Sequence, residues 1–158
     1  MLFKLSDDDR FNITALIARY SKVLNAMNID GIAQIWDKRD GDLYYIAEEV
    51  PDPMIGWDAI AAYWALNKQY ISRMSMRTGA LHMHAIAADL AIVMFPMHWN
   101  AAVGDQTPVG GDVNVTAVLR HTSDGWKFIH YAESALGAFP FLRRVYERAV
   151  DPDFLQKK

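Results

Sequence analysis

The sequence changes its grammar once, near Ser72. Before that point large apolar residues recur at helical spacing; after it, long runs of strand-favouring residues follow one another with only short turns between them. A chain written this way must lay helices first and then a meander of neighbouring strands, which makes it α+β. Ser6 ahead of Asp7, Asp8 and Asp9 is a strong helix start, because the hydroxyl caps free amides and the acids suit the positive end of the helix dipole. Ile13, Leu16, Ile17, Tyr20, Leu24 and Met27 give that helix one apolar face. A short second helix is expected over about Asp30 to Trp36, a strand at Leu43 to Ile46 that ends by Pro51-Asp52-Pro53, and a third helix over Trp57 to Tyr70 carrying Ile60, Tyr63, Trp64 and Leu66.

Strands are expected at Met74 to Ile86, Ala91 to Val103, Val109 to His121 and Trp126 to Ser134. The turns between them are Ala87-Ala88-Asp89, Gly104-Asp105 with Gly110-Gly111, and Ser123-Asp124-Gly125. A last helix is expected over Pro140 to Val150, so that a single domain spans 1–158 with its core at about 6–136. The length fits one domain, and no repeat or linker divides it.

Charge and composition narrow the function classes. Nineteen acids against 16 bases, with no long run of either sign, leave no basic footprint for nucleic acid. Cysteine is absent, which removes disulfides, thiolate nucleophiles and zinc-thiolate sites. The stretch Met1 to Arg10 has neither the basic start nor the apolar run of a secretory signal, and no apolar run is long enough to span a bilayer. These features lead us to expect a cytoplasmic protein that uses neither membrane nor nucleic acid. No Gly-rich phosphate loop, serine-hydrolase elbow or acidic cation cage is written in the sequence.

Several stretches, in order, resemble one superfamily. Arg19-Tyr20 through Leu24-Asn25-Ala26 to Ile29-Asp30-Gly31-Ile32 is similar to the first two helices of bacterial ketosteroid isomerases. Ile55-Gly56 leading to Ile60-Ala61-Ala62-Tyr63-Trp64 resembles the entry to that group's third helix. Val115 to Arg120, with Asp124-Gly125-Trp126-Lys127 through His130 and Ser134, resembles the closing hairpin of SnoaL-like domains. The resemblance is to the nuclear transport factor 2-like superfamily, including its ketosteroid isomerase-like and scytalone dehydratase-like members. It covers about Ile13 to Ser134 and implies a cystatin-like cone: a curved antiparallel sheet wrapped around helices, with an apolar pocket and a homodimeric or homotrimeric assembly.

The superfamily hosts many chemistries, so the site has to be read residue by residue. The resemblance puts Tyr20 where the isomerases keep an electrophilic tyrosine, but Tyr44 where they keep the aspartate base, with Asp42 nearby, and Ala117 or a neighbour where they keep a second oxyanion donor. Steroid isomerisation is therefore not supported. The aspartate that scytalone dehydratase-like members carry on the first helix is also missing, since the region around Ala26 and Met27 is apolar.

In the last strand Trp126, Phe128, His130, Ala132 and Ser134 alternate with Lys127, Ile129, Tyr131 and Glu133, and only one set can face a cavity. Likeness to the isomerase pocket selects the first set, placing His130 against an aromatic wall where burial would hold it neutral. The alternative is a histidine packed in the core or at a subunit interface. In the middle strand Ile92, Met94, Pro96, His98 and Asn100 share a face opposite Val93, Phe95, Met97 and Trp99, and the same likeness assigns His98 and Asn100 to the pocket. Pro96 leaves the register open to a slip of one.

His98 and His130 are then a candidate proton-transfer pair, with Tyr20 or Arg77 stabilising a developing oxygen charge. Trp36, Tyr44, Trp64, Met94, Asn100 and Phe128 are candidate substrate contacts, a set suited to a flat aromatic ligand. His82 and His84 share a face, a pattern more typical of half-exposed strand residues than of a metal site. The expected activity, leaning towards an enzyme, is that of a lyase acting on a hydrophobic, aromatic or phenolic molecule by dehydration or retro-aldol deformylation, with no cofactor and no metal. An isomerase or polyketide cyclase is the nearest alternative. A small-ligand carrier or oligomerisation module is the alternative of another class.

Overall fold

The structure is a computed structural model that describes residues 3–135, together with Arg148. The helix expected over Pro140 to Val150 lies outside the described residues. Ser6 caps α1 (Asp7–Asn25): its Oγ accepts the Asp9 amide proton at 3.1 Å, while Asp9 Oδ2 accepts from the Ser6 amide at 3.1 Å. Asp9 also receives the Trp126 indole N–H at 3.2 Å, which ties the start of α1 to the far end of the sheet. The chain continues through α2 (Ile29–Ile35), capped by Asn28, then β1 (Tyr44–Ile46), β2 (Met54–Ile55) and α3 (Trp57–Tyr70). Gly56 leads into α3 with φ +80°, a backbone region that glycine enters without steric cost.

The remaining strands are β3 (Ile71–Thr78), β4 (His82–Ala85), β5 (Leu90–Val103), β6 (Val109–Thr122) and β7 (Gly125–Ala135). They build a seven-stranded sheet in the order β2-β1-β7-β6-β5-β3, with β4 also paired to β5. All neighbours are antiparallel except β1, which runs parallel to β7. That parallel contact begins upstream of β1, where the Asp37 amide donates to the Phe128 carbonyl at 3.0 Å. The sheet is therefore mixed rather than wholly antiparallel.

The single strand expected over Met74 to Ile86 is two strands, because Pro96 interrupts the partner. Pro96 has no N–H to give, and β5 changes partner there: β3 pairs with Met97 to Val103, and β4 pairs with Ala91 to Met94. Gly79 fills the junction. Its amide donates to the Pro96 carbonyl at 2.8 Å, and a Cβ at Gly79 would lie 2.6 Å from the Pro96 ring.

The core lies between the sheet's inner face and the helices. Ala91, Val93, Phe95 and Met97 of β5 and Val113, Val115, Ala117 and Leu119 of β6 are buried against Ile13, Ile17, Tyr20 and Leu24 of α1 and Ile60 and Trp64 of α3. Asn25, at the end of α1, clamps the β3 edge by accepting the Met76 amide proton and donating to the Met76 carbonyl. The side-chain amide there does the work of a neighbouring strand.

Candidate active site

The register of two strands decides which residues face the cavity. On β5 the inner set is Val93, Phe95, Met97, Trp99 and Ala101, so Met94, His98 and Asn100 point to the outer face. On β7 a bulge between the pairs Val118↔His130 and Leu119↔Phe128 leaves Ile129 as an extra residue. Trp126 and Phe128 are inward before the bulge; Tyr131 and Glu133 are inward after it. Strict alternation through the whole strand therefore carries His130 to the wrong face.

The inward assignments of His98, His130, Met94, Asn100 and Tyr44 are accordingly corrected. His98 Nδ1 lies 2.8 Å from Asp112 Oδ1 on the outer face, with Arg77 in register beside it and exposed. His130 packs against Tyr44 with ring centroids 4.2 Å apart and planes tilted by 49°, and burial pushes its pKa down. The two histidines lie on strands two pairings apart, with β6 between them. Asn100 and Met94 are exposed, and His82 and His84 are exposed on β4. Among the described residues, no three His, Asp or Glu side chains gather in metal-binding geometry.

Three of the remaining candidates are core residues. Phe128 and Trp36 pack together beneath Tyr20 and Tyr45 rather than lining the cavity. Tyr20 is buried 5.1 Å from the Tyr131 ring, its hydroxyl without a hydrogen-bond partner among the described residues, and burial with the nearby Glu133 charge holds it protonated. Trp64 does line the cavity.

That cavity, of about 420 Å³, opens between α3, the loop after β1 and the ends of β3, β5 and β7. It is within the range typical of small-molecule sites. Tyr63, Trp64, Asn67 and Tyr70 of α3 form one wall, and Met74, Met76, Met97, Trp99 and Ala101 form the other. Glu133 stands at its inner end. The Tyr45 hydroxyl donates to Glu133 Oε1 at 2.8 Å and the Glu48 amide to Oε2 at 3.2 Å.

Burial pushes the Glu133 carboxyl up to about 7, helped by repulsion from Glu49 and Glu48 and opposed by those two hydrogen bonds. Burial likewise raises Tyr45, beside Glu133, and Tyr63, whose hydroxyl donates to Glu49. The Trp99 indole donates to Glu48 Oε1 at 2.7 Å. A wider groove of about 560 Å³ between α1 and α2 is lined by Arg19, Lys22, Asn28 and Asp30 and holds no buried titratable group. Among the described residues, the cavity around Glu133 combines an apolar body with a buried carboxyl brought to about 7.

From the sequence, Glu133 falls in the opposite alternation and, with Asp42 and Arg77, is a fallback candidate should the histidines face outward. The missing signal was the bulge at Ile129, which strand periodicity does not mark.

The model of the SnoaL-like domain matches residues 13–138. The chain belongs to the SnoaL-like domain family. No curated protein matches the sequence. Among solved structures it is similar to a protein of the nuclear transport factor 2-like family from Streptomyces avermitilis, provisionally assigned as a dehydratase (17% identity, TM-score 0.76, covering 84% of this chain and 100% of that one). It is similar also to a protein of Novosphingobium aromaticivorans provisionally assigned as an aromatic ring hydroxylase (17% identity, TM-score 0.77, 85% and 94%). A third is a provisionally assigned calcium/calmodulin-dependent protein kinase type II association domain from Thiobacillus denitrificans (25% identity, TM-score 0.64, 78% and 94%). The SnoaL-like chain thus has the nuclear transport factor 2-like α+β cone. No helix among its described residues is long and apolar enough to cross a membrane.

Proposed function

We propose that this SnoaL-like protein is a cofactor-independent acid/base enzyme, a lyase or isomerase, that acts in the cytoplasm on a hydrophobic molecule with an aromatic body. The observation that carries the reading is Glu133, a carboxyl brought to about 7 at the inner end of an aromatic cavity. A general base works best when its pKa is near the working pH, and half of such a group is ready to accept a proton at neutrality. Glu133 takes a proton from carbon or hydroxyl of the substrate, and Tyr45 and the Glu48 amide steady the carboxylate. When the proton comes from carbon, the C–H electron pair forms or shifts a double bond, and the same proton goes to the departing hydroxide, giving water, or to a second carbon, giving an isomer. When it comes from hydroxyl, a carbonyl forms as a C–C bond breaks, and the proton goes to the carbon left with the electron pair. Asn67, on the opposite wall, offers an amide donor to oxygen charge.

The provisional aromatic ring hydroxylase assignment of one structural neighbour agrees with an aromatic substrate and the provisional dehydratase assignment of another with a lyase, but at 17% identity they speak for the fold alone. The test is a panel of hydroxylated aromatic and polycyclic compounds incubated without added cofactor, with products followed by mass. Turnover by the wild type that is lost in Glu133→Gln supports the reading. Turnover that survives Glu133→Gln, or that disappears with chelator and returns with a metal ion, overturns it.

The outer face favours a second proposal, a homodimer or homotrimer. Tyr44 and Met94 are exposed there beside the part-buried Ile92 and Val118, and one structural neighbour is provisionally an association domain. Light scattering should report more than one chain at micromolar concentration and Met94→Asp should lower that mass; a wild-type monomer contradicts the proposal.

A further inference from the structure

Resting on the reading of the Glu133 cavity as a substrate site, the lining points to the class of molecule it takes. Glu48, Glu49 and Glu133 all present carboxyl groups to the cavity, and no Lys, Arg or His lines it among the described residues. The described ion pairs go elsewhere, to Asp37, Asp40 and Asp112. Each cavity carboxyl is held by neutral donors: Glu48 by the Trp99 indole, Glu49 by the Tyr63 hydroxyl, Glu133 by Tyr45 and the Glu48 amide. These donors orient the carboxylates without neutralising them, and a carboxylate has about four acceptor positions, so each keeps capacity for a ligand. Converging like charges in a partly desolvated site repel, a cost that a cation removes.

The walls have the matching character. Tyr45, Tyr63, Trp64 and Trp99 present aromatic rings to the same space, and ring faces attract cations, most strongly out of water. Tyr45 stacks on Trp64 with centroids 6.0 Å apart, and Tyr63 meets Trp64 edge-on at 4.9 Å, so the rings form a continuous surface beside the acids. We infer that the ligand of this cavity is a hydrophobic amine, an aromatic body bearing a protonated nitrogen that sits among Glu48, Glu49 and Glu133, and that the site rejects carboxylates and phosphates of the same shape.

The arrangement couples binding to the proton carrier. The groups facing Glu133 are Tyr45 from β1, Glu48 and Glu49 from the following loop, Tyr63 from α3, Tyr20 from α1 and the adjoining Tyr131 of β7. None is cationic, so an arriving ammonium is the first positive charge Glu133 meets. It favours the ionised carboxylate, and an amine that enters near neutral pH expels a proton and switches the base on.

The test uses three probes of one shape, 2-naphthylmethylammonium, 2-naphthylmethanol and 2-naphthoate, with binding to the full chain followed by calorimetry. The ammonium should bind at least about tenfold more tightly than the alcohol, and the carboxylate should not bind measurably. Glu48→Gln and Glu49→Gln should each cut the ammonium preference several-fold with alcohol affinity kept. In buffers of different ionisation enthalpy at pH 7, the ammonium should release protons from the wild type and none from Glu133→Gln. Equal affinity for ammonium and alcohol, tighter binding of the carboxylate, or no binding of any probe overturns the inference. The failures are separable: turnover of neutral compounds that depends on Glu133, without an amine preference, sinks this inference and leaves the enzyme. An amine preference without Glu133-dependent turnover leaves a carrier of amines.

Discussion

The two faces of the one sheet carry different kinds of chemistry. On the outer face His98 Nδ1 lies 2.8 Å from Asp112 Oδ1, and their side chains are 36% and 63% exposed, so water screens whatever passes between them. On the inner face Glu133 has only neutral donors and a cavity, and its proton is held to about 7. Imidazoles are the usual choice for proton transfer near neutrality, yet in this cavity burial brings a carboxyl into that range. Which side chains of β7 face the cavity is set by one extra residue, Ile129, which turns Tyr131 and Glu133 inward and His130 outward.

The largest expected contrast between the faces is in rate. Glu133→Gln should lower turnover by about 10²–10⁴, the typical contribution of a positioned general base. His98→Ala and His130→Ala should stay within a few-fold of the wild type. Steady-state kinetics on any substrate found by the panel checks this, and a larger loss in either histidine variant would break the contrast.

Stability should separate the faces next. Phe128 is fully buried between Tyr20 and Trp36, so Phe128→Ala should cost about 3–5 kcal/mol in urea unfolding. Met94 on the outer face is 39% exposed, and Met94→Ala should cost less than about 1 kcal/mol in the same assay. Equal losses would mean that the outer face is covered more firmly than the single chain shows.

A smaller effect follows from the raised pKa of Glu133. Between its ordinary value of 4.5 and about 7 the native carboxyl keeps a proton that the unfolded chain has lost. Stability from this group is therefore fully present below about 4.5 and is lost as the pH rises through about 7. The loss should amount to about 2 kcal/mol, allowing for water at the cavity mouth. Unfolding of the wild type and Glu133→Gln across pH 5 to about 8 should show the wild type weakening relative to the variant. Smallest of all, Ser6→Ala removes the cap of α1 and should cost about 1 kcal/mol without touching either face's chemistry.

Elements with strong periodic or capping signals were legible in the sequence. The Ser6 start of α1, the span of α3 and the order of helices before strands all follow from local chemistry, and the family resemblance follows from their order. In the sequence Trp64 is one of several large aromatic residues, which read first as packing residues and, at a cavity mouth, as contacts for a flat ligand, and it does line the cavity. The strand faces were not legible, since a period of two turns every assignment over when one residue is inserted. Neither the bulge at Ile129 nor the partner switch at Pro96 has a propensity signature strong enough to fix a register. The parallel contact of β1 with β7 was hidden for another reason: it joins segments far apart in sequence, and nothing local encodes it.

The central claim is that Glu133, the inner carboxyl, is the cavity's proton carrier. Infrared difference titration of the wild type against Glu133→Gln isolates that one carboxyl and needs no substrate. A carboxyl band should convert to carboxylate with a midpoint near 7; a midpoint near 4.5, the ordinary value, would contradict the assignment of Glu133.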